Sequence, residues 1–262
     1  MAIDLLIVIA AIWLAAASFT DLKKREVSDW LSFSLIAIAL AIRSAESIIQ
    51  KNPAPILTGI IGFFIFFAIA ILMYYGKLFA GGDVKLLAAL GSVIPSMAFL
   101  SNILVAGSVY GLAYSVFLAL ANFKGFYSEI RKNRRLFLMS LIPSLLLLMT
   151  YVFTSNIFIL LLLISVFSIT LIFIFVNSVE KSCLIRKVRP IKLTEGDWLF
   201  KDVKIKGKTV KASFEGLTKK DIAMIRSSGK KVYVKYGIPF IPVFLIALIL
   251  TVFFGNIFMI FI

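Results

Sequence analysis

Eight apolar runs, at roughly 2–20, 30–50, 55–75, 84–100, 103–121, 136–153, 157–177 and 238–262, leave this chain few ways to fold. Most approach the ~20 residues that an α-helix needs to cross ~30 Å of hydrocarbon. Inside hydrocarbon every backbone N–H and C=O must be paired within its own segment, which selects helices. The expected fold is an all-α polytopic membrane protein with about eight transmembrane helices, or six if one pair of segments is short or re-entrant. Composition agrees: 61% of the residues are hydrophobic, against about 45–50% in a soluble globular domain. The run after Asp83 is marginal, because Pro95 breaks it and Ser101-Asn102 reads as a turn. Thr154-Ser155-Asn156 divides 136–177, which would otherwise overshoot any bilayer.

The charges between the runs set an orientation. Met1-Ala2-Ile3-Asp4 carries an acid and no base, while Lys23-Lys24-Arg25 follows the first run. Basic loops stay on the cytoplasmic side, so residue 1 is expected outside and residue 23 inside. Alternation then puts Gly76–Asp83, the 122–135 loop and residues 178–237 inside. The 122–135 loop holds Lys124, Arg131, Lys132, Arg134 and Arg135 against Glu129, whereas the outer turns hold one basic residue, Lys51. The expected organisation is a transmembrane bundle over 1–177, a small soluble domain over 178–237, and a last membrane helix over 238–262.

Residues 178–237 are the one stretch polar enough for a soluble domain. Within 178–236, 16 Lys and Arg oppose 6 Asp and Glu, a net charge of +10. Val203–Ile205 and Val210–Ala212 read as short strands around a Lys206-Gly207-Lys208 turn. Thr218 reads as the cap of a short helix through Ile222 and Ile225, and residues 231–235 alternate like a strand. The expectation is a small cytoplasmic α+β domain whose charge meets anionic lipid headgroups. Its bases are not interleaved with stacking aromatics, so no nucleic-acid role is expected.

The chemistry available is narrow. There is no histidine and a single cysteine, Cys183, which excludes a disulfide framework and a Cys- or His-built metal site; no cofactor and no metal are expected. Of the acids outside the soluble domain, Asp21 and Asp83 sit where an apolar segment meets the inner face. Asp21 closes the first segment, where the helix dipole disfavours an anion, and pairing with Lys23, Lys24 or Arg25 would satisfy it. Asp83 follows Gly81-Gly82 and could cap the helix after it. The two glycines permit positive φ and close backbone approach. If the two segments are neighbours, the carboxylates share one proton over a wide pH range. The ionised member can then take a proton from water while the protonated member donates to a scissile carbonyl. On residues alone the same pair also suits a proton-coupled secondary transporter or channel, and a non-enzymatic membrane scaffold would need neither acid.

Gly81-Gly82-Asp83-Val84-Lys85-Leu86-Leu87-Ala88-Ala89-Leu90-Gly91 resembles the second aspartate motif of the GxGD intramembrane aspartyl proteases, in their prepilin peptidase branch. Asp21-Leu22-Lys23-Lys24-Arg25-Glu26-Val27-Ser28-Asp29-Trp30 is similar to that branch's first aspartate segment, and Gly237-Ile238-Pro239-Phe240-Ile241-Pro242 to the lead-in of the last helix of archaeal preflagellin peptidases. The resemblance implies Asp21 and Asp83 as catalysts of leader removal from preflagellin or prepilin-like substrates at the cytoplasmic face of the cell membrane. Ala80 stands where the motif has its first Gly, and Val27-Ser28-Asp29 replaces an Ile-Pro-Asn pattern. Gly81 and Gly82 are expected to shape the backbone beside the scissile bond. Lys85 would reach headgroups or tune Asp83, Lys23 would sit beside Asp21, and Ser28 or Asp29 would cap the second helix. Gly59, Gly62, Gly107 and Gly111 read as helix packing points.

Overall fold

The computed structural model describes residues 2–205, 208–213 and 216–260. In chain order the elements are α1 (Ala2–Lys24), α2 (Asp29–Gln50), α3 (Ala54–Tyr75), α4 (Gly81–Val93), α5 (Met97–Ala121), α6 (Phe123–Lys132), α7 (Arg134–Thr154), α8 (Ile157–Val179), β1 (Ile185–Val188), β2 (Trp198–Leu199), β3 (Val203–Ile205), β4 (Lys208–Val210), α9 (Lys219–Ser228), β5 (Val232–Lys235) and α10 (Ile241–Phe254). Among the described residues six helices are long and apolar enough to cross a membrane: α1, α2, α3, α5, α7 and α8. The chain is a multi-pass helical membrane protein. The expected eight full crossings become six long helices and two short ones. At 13 residues, α4 is about 20 Å long, and α10 has 14 residues.

Two compact units form, Met1–Leu112 with Ile238–Ile262, and Ala113–Gly237. In the first, α4 packs on α2 and α3, and α1 packs on α2, α4 and α10. Their shared core includes Leu6, Leu14, Leu35, Phe66, Leu86, Leu90 and Phe244, all nearly or fully buried. The helices α3 and α4 meet where Gly62 and Gly91 leave no room for a Cβ, since one added to Gly91 would lie 2.5 Å from the Gly62 carbonyl oxygen. Gly59 makes way for Arg43 and Gly107 for Phe240, but Gly111 faces open space and is not a packing point.

The break after α4 falls at Ile94–Ser96 and not at the expected Ser101-Asn102, which lies inside α5. Pro95 cannot continue a helix, and the Ser96 hydroxyl accepts the Ala98 N–H at 3.2 Å to begin the next one. Asn102 is instead fully buried, donating to the Thr251 hydroxyl at 2.9 Å and the Gly255 carbonyl at 2.7 Å and accepting the Ile257 N–H at 3.1 Å.

A helix that stops inside a bundle leaves its last carbonyls without partners. For α4 these are met by Arg43 of α2, itself 5% exposed. Its Nε donates to the Ser92 carbonyl at 2.7 Å and its Nη2 to the Val93 carbonyl at 2.9 Å, while Nη1 reaches Pro55 O at 3.1 Å. A cavity of about 390 Å³ opens beside this cap, between Glu46, Pro55, Thr58 and Pro95.

In the second unit the expected 122–135 loop is a helix, α6, whose Phe126 stacks edge-on with Phe175 of α8 at 5.6 Å. Asn133 joins α6, α7 and α8 by donating to the Ser178 hydroxyl at 3.1 Å and accepting from Asn177 at 3.2 Å. The α+β part has an antiparallel sheet in the order β1-β5-β2 and a separate β3-β4 pair. Val188, Leu199, Val232 and Val234 point into its core with Ile222 and Ile225 of α9. Thr218 caps α9 by accepting the Asp221 N–H at 3.3 Å, as its sequence requires. The strand expected over 210–212 is β4, ending at Val210, and β1 and β2 were not expected. Of the turn expected at Lys206-Gly207-Lys208, the first two residues lie outside the described residues and Lys208 opens β4.

Arg43→Leu should leave the Ser92 and Val93 carbonyls short of a donor. At roughly 1–3 kcal/mol for a buried unpaired group, the loss expected is about 3 kcal/mol, visible as a drop of several degrees in the thermal unfolding midpoint in detergent. An unchanged midpoint would show that α4 does not depend on this cap.

Candidate functional site

Asp21 and Asp83 are brought into one neighbourhood by the packing of α1 on α4. Both are largely buried, at 7% and 9% exposure. Each is held by a backbone N–H group, and the charge of Arg25, one of the partners expected for Asp21, also acts on that carboxylate.

α1 ends when Arg25 turns into the left-handed region at φ 59 and donates its N–H to the Asp21 carbonyl at 2.7 Å. Asp21 therefore stands in the last turn, facing the unfavourable end of its own helix dipole. The compensation comes from α10. The N–H of Ile241, its first residue, donates to Asp21 Oδ2 at 3.0 Å, and the Phe240 backbone N–H adds to the hold. The side chain of α1 thus caps the N-terminus of α10, where free amides and the dipole favour an anion. Lys23 does not take the expected place beside Asp21: its ammonium lies over the Phe19 ring, 5.7 Å from the centroid.

Asp83 is not the N-cap of α4 but its third residue, and its Oδ2 accepts the Ala80 N–H at 2.9 Å. This is half of a capping box, because Ala80 has no side-chain acceptor to return. Ala80 has φ −84 and ψ 166, an extended conformation open to any L-residue, so the methyl where the motif has Gly costs the backbone nothing. Gly81 and Gly82 are helical residues of α4, and neither adopts the expected positive φ. Their spacing still matters at Gly82, where an added Cβ would lie 3.2 Å from Val27 Cβ in the α1–α2 connector; at Gly81 it would meet nothing within 4 Å.

Lys85 and Asp29 form an ion pair at 2.7 Å that joins the first turns of α4 and α2. Both are partly exposed, at 41% and 62% of the side chain, so the pair contributes about 0.2–1 kcal/mol and serves mainly to orient. Ser28 occupies the N-cap position of α2 but makes no side-chain capping bond. Sequence reasoning missed the N–H of Ile241, which no side-chain identity signals. It also missed Phe79, which packs on Phe240 at 5.2 Å and Phe244 at 5.9 Å and so ties the lead-in of α4 to that of α10. Among the described residues no group of three or more acids or cysteines could hold a metal ion.

Burial pushes the Asp83 carboxyl up to about 7; the charge of Asp21 raises it further and the Ala80 N–H works against both. Asp83 thus senses the charge of Asp21.

Residues 8–116, which include both aspartates, match the Type IV leader peptidase family. A preflagellin peptidase of Methanococcus voltae is 35% identical over 91 residues, covering 35% of this chain and 39% of the relative. One of Methanocaldococcus jannaschii is 33% identical over 88 residues, covering 34% and 37%. The chain therefore spans less than two-fifths of the length of either relative. No solved structure matches it.

An Asp83 that keeps its proton to about 7 when folded, and releases it near 3.8 when unfolded, binds more protons in the folded state across that window. Its contribution to stability must then fall as pH rises from about 4 to about 7 and level off above. Unfolding midpoints measured from pH 4 to 8 should show this slope in the wild type and a shallower one in Asp83→Asn. Identical slopes would mean that Asp83 titrates normally.

Through residues 8–116, where Asp21 and Asp83 lie, the chain is similar to the Type IV leader peptidase family.

Proposed function

We propose that the protein is an intramembrane aspartyl endopeptidase. It hydrolyses the bond between a short basic leader and the hydrophobic helix of preflagellins or prepilin-like proteins, at the cytoplasmic face of the membrane. The observation that supports this most directly is the pairing of two buried carboxylates, one on α1 and one on α4, that interact electrostatically and are each held by a backbone N–H. The family match and the two preflagellin peptidases agree with it. The cytoplasmic placement rests on the basic residues that follow α1 and fill the 122–135 segment.

In this reading the aspartates divide the work. Asp83, whose carboxyl keeps its proton near neutrality, is the acid, and Asp21, facing the amides at the start of α10, is the base. Asp21 removes a proton from water as the water oxygen bonds to the scissile carbonyl carbon. Asp83 passes its proton to the carbonyl oxygen. Collapse of the tetrahedral intermediate breaks the C–N bond as Asp21 gives the proton it took from water to the leaving nitrogen and Asp83 regains one from a hydroxyl of the intermediate. The open space beside Gly81 leaves the backbone near Asp83 approachable by an extended peptide. That access matters because a helical substrate must unwind to expose its carbonyl.

The wild-type protein, co-expressed with a leader-bearing preflagellin, should release the leader, as read by mass spectrometry. Asp21→Asn and Asp83→Asn should each lower the rate by about 10²-fold or more while still reaching the membrane folded, and a chelator should leave the wild-type rate unchanged. Either variant cleaving at the wild-type rate would overturn the assignment.

A further inference from the structure

Two hydroxyls in the same unit stand out because they are buried without a hydrogen-bond partner in the protein, Ser18 on α1 and Ser32 on α2. They are 7% and 1% exposed. A helical serine in apolar surroundings ordinarily donates to a carbonyl one turn back. The neighbouring ones do: Ser34 to Leu31, Ser92 to Ala89, Ser101 to Ala98 and Ser108 to Leu104. Ser18 and Ser32 depart from this pattern, and buried polar atoms in native proteins rarely go unpaired.

Their places in the fold relate both to the carboxylates. Ser18 precedes Asp21 by three residues, one turn along the same face of α1, a face that also buries Leu14 and Ala17. Ser32 lies on the stripe of α2 that runs through Asp29, Ser32, Ala39 and Arg43. The two ends of that stripe both reach α4: Asp29 pairs with Lys85, and Arg43 donates to the carbonyls of Ser92 and Val93. The stripe therefore faces the helix whose first turn carries Asp83. A bond from Trp13 Nε1 to the Ser34 hydroxyl, 2.9 Å long, sets the register of the α1–α2 pair. Both serines fall between that bond and the connector, deeper in the bundle than the aspartates.

We propose that Ser18 and Ser32 are positioning residues that hold water one turn below the carboxylates, and that this water feeds the hydrolysis. The proposal rests on the peptidase reading of Asp21 and Asp83. Each cleavage consumes one water, and carboxylates this deeply buried, at 7% and 9% exposure, must draw it from a site within the protein. A buried water takes two to four polar partners, and each of these hydroxyls has its donor and its acceptor positions unused. A hydroxyl can donate or accept as the water reorients, which suits a molecule that must leave for the reaction and be replaced.

The test uses the purified full-length protein with a leader-bearing preflagellin, comparing Ser18→Ala, Ser32→Ala and the double variant with the wild type. Each single variant should lower kcat by about tenfold, as a misplaced reactant does, with KM and the unfolding midpoint unchanged. A second readout is independent of cleavage: infrared spectra exchanged between ordinary and ¹⁸O-labelled water should show an internal-water stretching band in the wild type that the double variant loses. Wild-type kcat in the double variant, or a band that persists in it, would overturn the proposal. Asp21→Asn and Asp83→Asn serve as the control, since wild-type cleavage by these rejects the peptidase reading, while the infrared band still judges the water site.

Discussion

The bond between Asp21 and the first N–H of α10 joins residues 220 positions apart, and much of the candidate site depends on it. A carboxylate at the C-terminal end of its own helix is repelled by that helix's dipole, and the first turn of a helix begun in apolar surroundings has amides that need acceptors. Placing the end of α1 against the start of α10 resolves both problems with one contact. The aromatic contacts from Phe79 to Phe240 and Phe244 then fix the segment before α4 to the same place. Asp83 is thus positioned by its own helix and, through Phe79, by the element that holds Asp21.

The helix α4 is short for a reason that follows from this arrangement. It begins at an extended lead-in and ends within the bundle. Its C-terminal carbonyls are answered by Arg43, a buried cation whose three bonds all go to backbone oxygens. Arg43 fits because Gly59 has no side chain, and α4 lies close to α3 because Gly62 and Gly91 have none. The small residues of α3 thereby let a helix too short to cross a membrane sit deep within the bundle. The parts that hold its two ends, Lys85 with Asp29 and Arg43 with Ser92 and Val93, both come from α2.

The two acids stood out in the sequence because a charge at the edge of an apolar run is rare, and the helices that carry them, α1 and α4, do pack together. The shortness of α4 was legible in part, since Pro95 broke the run; the break was misplaced only where Ser101-Asn102 was read as a turn, and Asn102 proved to be a buried polar link to α10. The partners of the acids were not legible. Ile241 acts through its backbone, which carries no residue identity, and Arg43 was one base among many until its fold placed it on α4. The helix α6 left a signal that went unread: Phe123, Phe126, Tyr127 and Ile130 are spaced for one helical face, but the basic residues among them read as a loop. Strands of two to four residues, such as β1 and β2, are too short for any period to show.

Division of roles between two like carboxylates requires that their surroundings differ, and here the difference is in where their amides come from. Asp83 receives its N–H from Ala80 within its own helix start, a bond that the local backbone makes whatever the rest of the chain does. Asp21 receives its N–H from another helix, so its hold depends on α10 remaining docked on α1. Any motion of α10 would therefore act on Asp21 directly and on Asp83 only through Phe79. A substrate strand that offered its own amides near the end of α1 would compete for the same oxygen. The tertiary origin of that one bond makes Asp21 the more adjustable of the two acids, since Asp83 keeps its local bond to Ala80.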